Sequence, residues 1–123
     1  DEDLLSDNDI LELYNKSKIT IIPLKETLQP SGQSVALQSM ACGTPVIITK
    51  TKGFWDYENF MDNINIFFET KNNLSHWEKK INLILNSESE KYKYYSESCE
   101  EIVTLNYSVQ NINKKLKNLI NEL

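Results

Sequence analysis

Ser31-Gly32-Gln33-Ser34 is the stretch whose residue types and placement come closest to chemistry. Before it lies the β-branched run 19–24, Ile-Thr-Ile-Ile-Pro-Leu, short enough to be a fully buried strand. After it comes a run of good helix formers, then Gly43, Pro45 and the apolar residues Val46, Ile47 and Ile48. The order is therefore strand, loop, helix, strand. A helix so placed begins just past the carboxyl end of a strand, where open α/β sheets take their ligands. Its first backbone N–H groups have no intrahelical partner and carry the positive end of the helix dipole, so the loop favours an anion. Gly32 spares a phosphate the Cβ that would hold it off the backbone, while Ser31, Gln33 and Ser34 can all hydrogen-bond to one. Turns of this make-up also serve as plain connections, and spacing alone leaves both readings open.

The other chemistry-bearing residues point less far. His76 is the single histidine, stands at an expected helix start and has no second ligand beside it, so it reads as solvent-facing. No His, Cys or carboxylate cluster has metal-ligand spacing, and no metal site is expected. Cys42 and Cys99 lie far apart in different expected helices and read as free buried thiols rather than a disulfide.

Residues 39–47, Ser-Met-Ala-Cys-Gly-Thr-Pro-Val-Ile, resemble the "EAMACGTPVI" block of the retaining family 4 glycosyltransferases, which pair two Rossmann-like domains in the GT-B fold. In that family the block closes the helix of the nucleotide-sugar site. The resemblance covers most of the chain, from the polar helix start at Ser6 onward, and implies the second, donor-binding domain. The family places a pair of glutamates ahead of the block, one on the donor sugar and one on the ribose, and these positions are Pro30 and Gln38 here. The first carboxylate is absent. The amide of Gln38 can still donate to and accept from ribose hydroxyls. Glu26 lies close enough in sequence to swing a carboxylate into the sugar pocket, although a loop acid is ordinarily just solvated. The loop after the second strand matches the family's "GG-x-P-E" turn in part: Gly53 falls on the second Gly and Lys52 replaces the first. Lys50 and Lys52 either neutralise a diphosphate or point at water. Phe54 and Trp55 either stack on a base or pack a core, packing being the commoner use. The implied nucleotide-sugar contacts are Ser31, Gly32, Gln33, Ser34, Gln38 and Gly53, with Glu26 the candidate catalytic carboxylate. The donor is a substrate; neither cofactor nor metal is implied.

The elements that must hold these residues are legible in outline. Ser6 and Asp9 have the spacing of a capping box ahead of a helix whose stripe is Ile10, Leu13, Tyr14 and Ser17. The right-handed crossover rule sets strand 46–49 beside strand 19–24, with Val35, Leu37, Met40 and Ala41 the core side of the intervening helix. A third strand is expected at 64–68 after an Asp62-Asn63 turn, corresponding to the family's "NGLLV" strand. Helix 77–85 follows with the stripe Trp77, Ile81, Ile84 and Leu85, then helix 92–105, where Tyr92, Tyr94 and Tyr95 form an aromatic patch. A last helix, capped by Ser108, carries Val109, Ile112, Leu116, Leu119, Ile120 and Leu123. The fold class is α/β: a three-layer Rossmann-like parallel sheet with helices on both faces, part of a GT-B fold.

Length and charge set the bounds. At 123 residues the chain is expected to be one domain. A complete two-domain enzyme needs roughly three times that. Residues 1–123 are thus expected to be the donor-binding domain alone, lacking the N-terminal acceptor-binding domain and inactive by itself. The net charge of -5 argues against nucleic acid as a partner. All basic residues are Lys, so no guanidinium clamps a phosphate here. No apolar run of about 18 residues or signal peptide is present, and a cytoplasmic protein is expected. The resemblance also allows peripheral membrane association of the full enzyme, at the inner face. Its family's habit is bacterial surface glycan synthesis, and the Asn, Lys and Ile bias suggests a bacterial source. A signal-receiver domain would need an acidic pair after the first strand and an Asp ending the third, which are absent. A non-catalytic α/β interaction domain, keeping the fold without donor chemistry, stays open because positions 30 and 38 hold no carboxylate.

Overall fold

The computed structural model describes residues 6–107 and 120–121. The helix expected after Ser108 lies almost wholly outside them. The elements run α1 (Asp7–Lys16), β1 (Thr20–Ile22), α2 (Gln33–Ala41), β2 (Val46–Thr49), β3 (Phe67–Glu69), α3 (Leu74–Leu85) and α4 (Ser89–Tyr107). Ser6 and Asp9 close a reciprocal capping box on α1, so the expected start is the observed one.

The sheet has the order β1-β2-β3 and is parallel throughout, with Ile21 opposite Ile47 and Ile47 opposite Phe67. The central strand β2 is buried on both faces, as an all-parallel sheet requires. Alternation splits its side chains between layers. On one face Val46 and Ile48 join Ile22, Ala36, Met40, Phe68, Cys99 and Val103 beneath α2 and α4. On the other Ile47 joins Phe67, Ile84 and Tyr95 beneath α3 and the start of α4. This is the expected α/β layering, an open parallel sheet with helices on both faces.

Several expectations are corrected. β1 stops at Ile22 rather than running to 24, because Pro23 has no N–H to give and the next amide, Leu24, donates sideways to Thr49 Oγ1 at 2.9 Å. β3 starts at Phe67 rather than 64: Asn63 sits at φ 65, its N–H donates to Ile66 O, and Asp62 takes the Phe68 amide at 2.8 Å. α1 buries no residue, and Leu13 of its expected stripe is 54% exposed. In α2 the inner positions are Ala36, Ser39 and Met40, while Val35 and Ala41 face out. Leu85 of α3 is likewise exposed. Among the three tyrosines, Tyr95 is core, Tyr92 packs beside it and donates to Lys18 O, and Tyr94 is exposed, so they do not form one surface patch.

Candidate functional site

Three loops leave the carboxyl ends of the strands, and one side chain ties them together. Asn72, held at φ 52, donates through Nδ2 to Leu24 O at 3.1 Å. Its Oδ1 accepts from the Thr49 hydroxyl at 3.2 Å and from Trp77 Nε1 at 3.0 Å. The loop after β1, the end of β2 and the start of α3 are thereby pinned to one another. The N-cap of α3 is the neighbouring Asn73, which accepts from the His76 amide.

The first loop ends at Gly32, the N-cap of α2, at φ 76. No side chain accepts from the first amides of α2, so the positive end of that helix is left open. The absence of a Cβ at Gly32 has a different cause from the expected one. A Cβ there would lie 2.8 Å from Ile22 Cγ2 and 3.4 Å from Ile48 Cδ1, so the space is filled by the core and not kept for a phosphate. Beside it Ser34 is exposed and Ser31 and Gln33 are half-buried.

Gln38 lies a turn further along α2, exposed, with Oε1 accepting from the Tyr14 hydroxyl of α1 at 3.4 Å. Its amide N–H groups make no hydrogen bond among the described residues.

The first and second loops are stitched edge to edge. Gly53 N–H donates to Thr27 O at 2.9 Å, and Lys52 N–H donates to Glu26 Oε1 at 3.0 Å. Gly53 is required by this approach: a Cβ would fall 2.4 Å from Gln29 O. It is buried, so it holds the wall of the site from behind. Between the loops opens a hollow of about 500 Å³ lined by Glu26, Lys50, Thr51, Lys52 and Tyr57. Tyr57 donates to Thr51 O at 2.5 Å, which fixes the ring against the loop. Burial, and then the charge of Glu26, push its phenol up from the ordinary value, so it stays a hydrogen-bond donor at neutral pH. Lys50 Nζ stands 5.9 Å from the centre of the same ring. Among the described residues neither Lys50 nor Lys52 has a carboxylate within ion-pair distance.

Sequence reasoning thus found both lysines and Glu26, and the structure brings them together. It does not bring Ser31, Gly32, Gln33, Ser34 or Gln38 into that hollow. Phe54 packs, as its type suggests: it is buried among Phe60 and Phe68 with rings edge to face, and Trp55 lies on it at 4.0 Å. His76 is half-exposed, with Nδ1 3.9 Å from Oε1 of the buried Glu69. Among the described residues no group of three His, Cys, Asp or Glu is arranged to hold a metal.

The family model described as "Glycosyl transferases group 1" matches residues 4–101. Two crystal structures of Anabaena HepE share the fold, one in complex with UDP-glucose and the other with UDP and glucose. The likeness to them has TM-scores of 0.72 and 0.73, each at 21% identity over 94% of this chain. The chain spans 30% of the length of those proteins. A comparison with curated proteins found no match. The block around Met40, the parallel sheet and the family match agree, and the chain belongs to the group 1 glycosyltransferases.

Proposed function

We propose that this chain is the donor-binding domain of a glycosyltransferase, which moves a sugar from a nucleotide diphosphate sugar to an acceptor, in the synthesis of a bacterial surface glycan. The observation that carries the reading is the start of α2, capped by a glycine and given no side-chain cap hydrogen bond, at the carboxyl edge of a parallel sheet. The diphosphate lies against those amides, with Ser31, Gln33 and Ser34 around it and Gln38 on the ribose. Charge on the departing diphosphate is met by preorganised N–H groups and cations, and the reading calls for no metal. Glu26 is the carboxylate nearest the sugar and hydrogen-bonds its hydroxyls. That HepE has been crystallised with UDP-glucose supports a nucleotide sugar of this kind. The acceptor site belongs to an N-terminal domain outside these residues, so the chain alone does not turn over. The full enzyme works in the cytoplasm, at the inner face of the membrane. Among the described residues no helix is long and apolar enough to cross one.

Titration of the isotope-labelled chain with UDP-glucose tests this. Saturable amide shifts at residues 31–38 are expected. No shift with uridine, guanosine or adenosine diphosphate sugars at roughly millimolar concentration, in the weak end of ordinary affinities, would leave the non-catalytic interaction domain as the reading.

A further inference from the structure

We propose that the hollow between the two loops is a second anion seat, separate from the start of α2, in which Lys50 and Lys52 hold an oxyanion of the donor. The inference rests on the donor reading above and deepens it. Two cations and the single anion Glu26 line the hollow, leaving one net positive charge in a chain whose formal charge is -5. Among the described residues Glu26 forms no ion pair with either ammonium. Its Oε1 is taken by the Lys52 backbone N–H at 3.0 Å. Solvated lysines are common, but here the backbone beneath them is fixed. Tyr57 holds Thr51 O, Thr27 O holds the Gly53 amide, and Lys50 N–H donates to Glu69 O at 2.8 Å. A cation on a pinned backbone surrenders less freedom on binding than one on a mobile loop.

None of residues 31–34 lines the hollow, so an anion bound here is an additional contact to any made at α2. An oxyanion on a nucleotide sugar has two sources: the phosphates, or a carboxylate on the sugar itself. Both suit paired ammonium groups, and a sugar carboxylate makes this hollow the element that selects an acidic donor.

The test is calorimetric titration of the 123-residue chain and its Lys50→Gln, Lys52→Gln and double variants, with Lys93→Gln on the far helix as a control and thermal melts to verify folding. The probes are inorganic pyrophosphate, UDP-glucose and UDP-glucuronate. Each single substitution is expected to weaken binding about tenfold, the worth of one charge-assisted hydrogen bond, and Lys93→Gln not at all. Equal losses for all three probes assign the seat to the phosphates. A loss confined to UDP-glucuronate assigns it to the sugar carboxylate. Folded lysine variants that bind all three probes as tightly as the wild type overturn the seat and leave the donor reading standing. Lysine-dependent binding of pyrophosphate without binding of either nucleotide sugar removes the donor reading and keeps the seat. Binding of none removes both.

Discussion

Asp56 shows how single residues hold the second loop in place. Burial alone raises its carboxyl, but the hydroxyl of Tyr107 and two N–H groups of Asn59 donate to it, and the balance holds it below its ordinary value of 3.8. Tyr107 is pushed upward in turn by burial and by that bond, so it remains the donor across the neutral range. A carboxylate depressed in the folded state adds stability that is complete above its unfolded value and is lost as pH falls through the lower folded one. The contribution of Asp56 is therefore complete at neutral pH, starts to fall near 3.8 and is lost only as pH drops through the lower folded value. Asp56→Asn keeps the shape and removes the charge. Urea unfolding of this variant should show it about 1 kcal/mol weaker than the wild type at neutral pH, with the gap closing in strong acid. A gap that stays constant down to the acid limit would mean the Tyr107 bond does not depend on ionisation. The same bond joins the loop after β2 to the end of α4.

At the level of elements, the contact of α4 with α2 is the joint that holds the block around Met40. Cys99 is buried in it; its thiol donates to Ser96 O at 3.2 Å and lies 3.9 Å from Met40 O. Burial, with a smaller push from Glu100, raises this thiol to about 12, so it carries almost no thiolate at neutral pH. Cys42 is half-buried and raised in direction by the same two causes. Labelling with an aromatic disulfide reagent should modify Cys42 slowly from the native state. Cys99 should react only through opening of α4, at least about a thousandfold slower than in urea, given ordinary domain stabilities. Equal rates for the two thiols would show that α4 is not docked. Much of this scale was legible in advance: the capping box, β2 and the crossover all follow from local residue types. The errors have local causes too, since Pro23 shortens β1 and the left-handed Asn63 delays β3. The site was less legible because its bonds are long in sequence. Asn72 reaches 48 residues back to Leu24, and the Lys52 amide reaches 26 back to Glu26. No periodicity or motif encodes such pairs. Gly32 and Gly53 stood out as glycines, but only the packing shows that one yields to Ile22 and the other to the Gln29 carbonyl.

For the molecule as a whole, the order β1-β2-β3 leaves β1 at a border where, among the described residues, no further strand pairs. Ile21 on that strand is 43% exposed, whereas its neighbour across the ladder, Ile47, is fully buried. The helix on that face, α3, packs over β3 at the opposite border. A bare strand edge with an apolar side chain beside it is a template for another strand, because its N–H and C=O groups are aligned and unpaired. The chain is therefore expected to self-associate, with a sedimentation coefficient that rises with concentration. Ile21→Lys should suppress this, since a charge there must be desolvated when a second edge docks, while stability shifts by no more than about 1 kcal/mol at a half-exposed position. Association that persists undiminished in this variant would move the contact elsewhere, to the exposed Leu28 or Leu74 at the carboxyl edge. The distinction reaches the donor experiments directly. Pairing through β1 leaves the start of α2 and the hollow open to nucleotide, so affinity for UDP-glucose should not depend on protein concentration, whereas pairing through Leu28 and Leu74 covers them and affinity should fall as protein concentration rises.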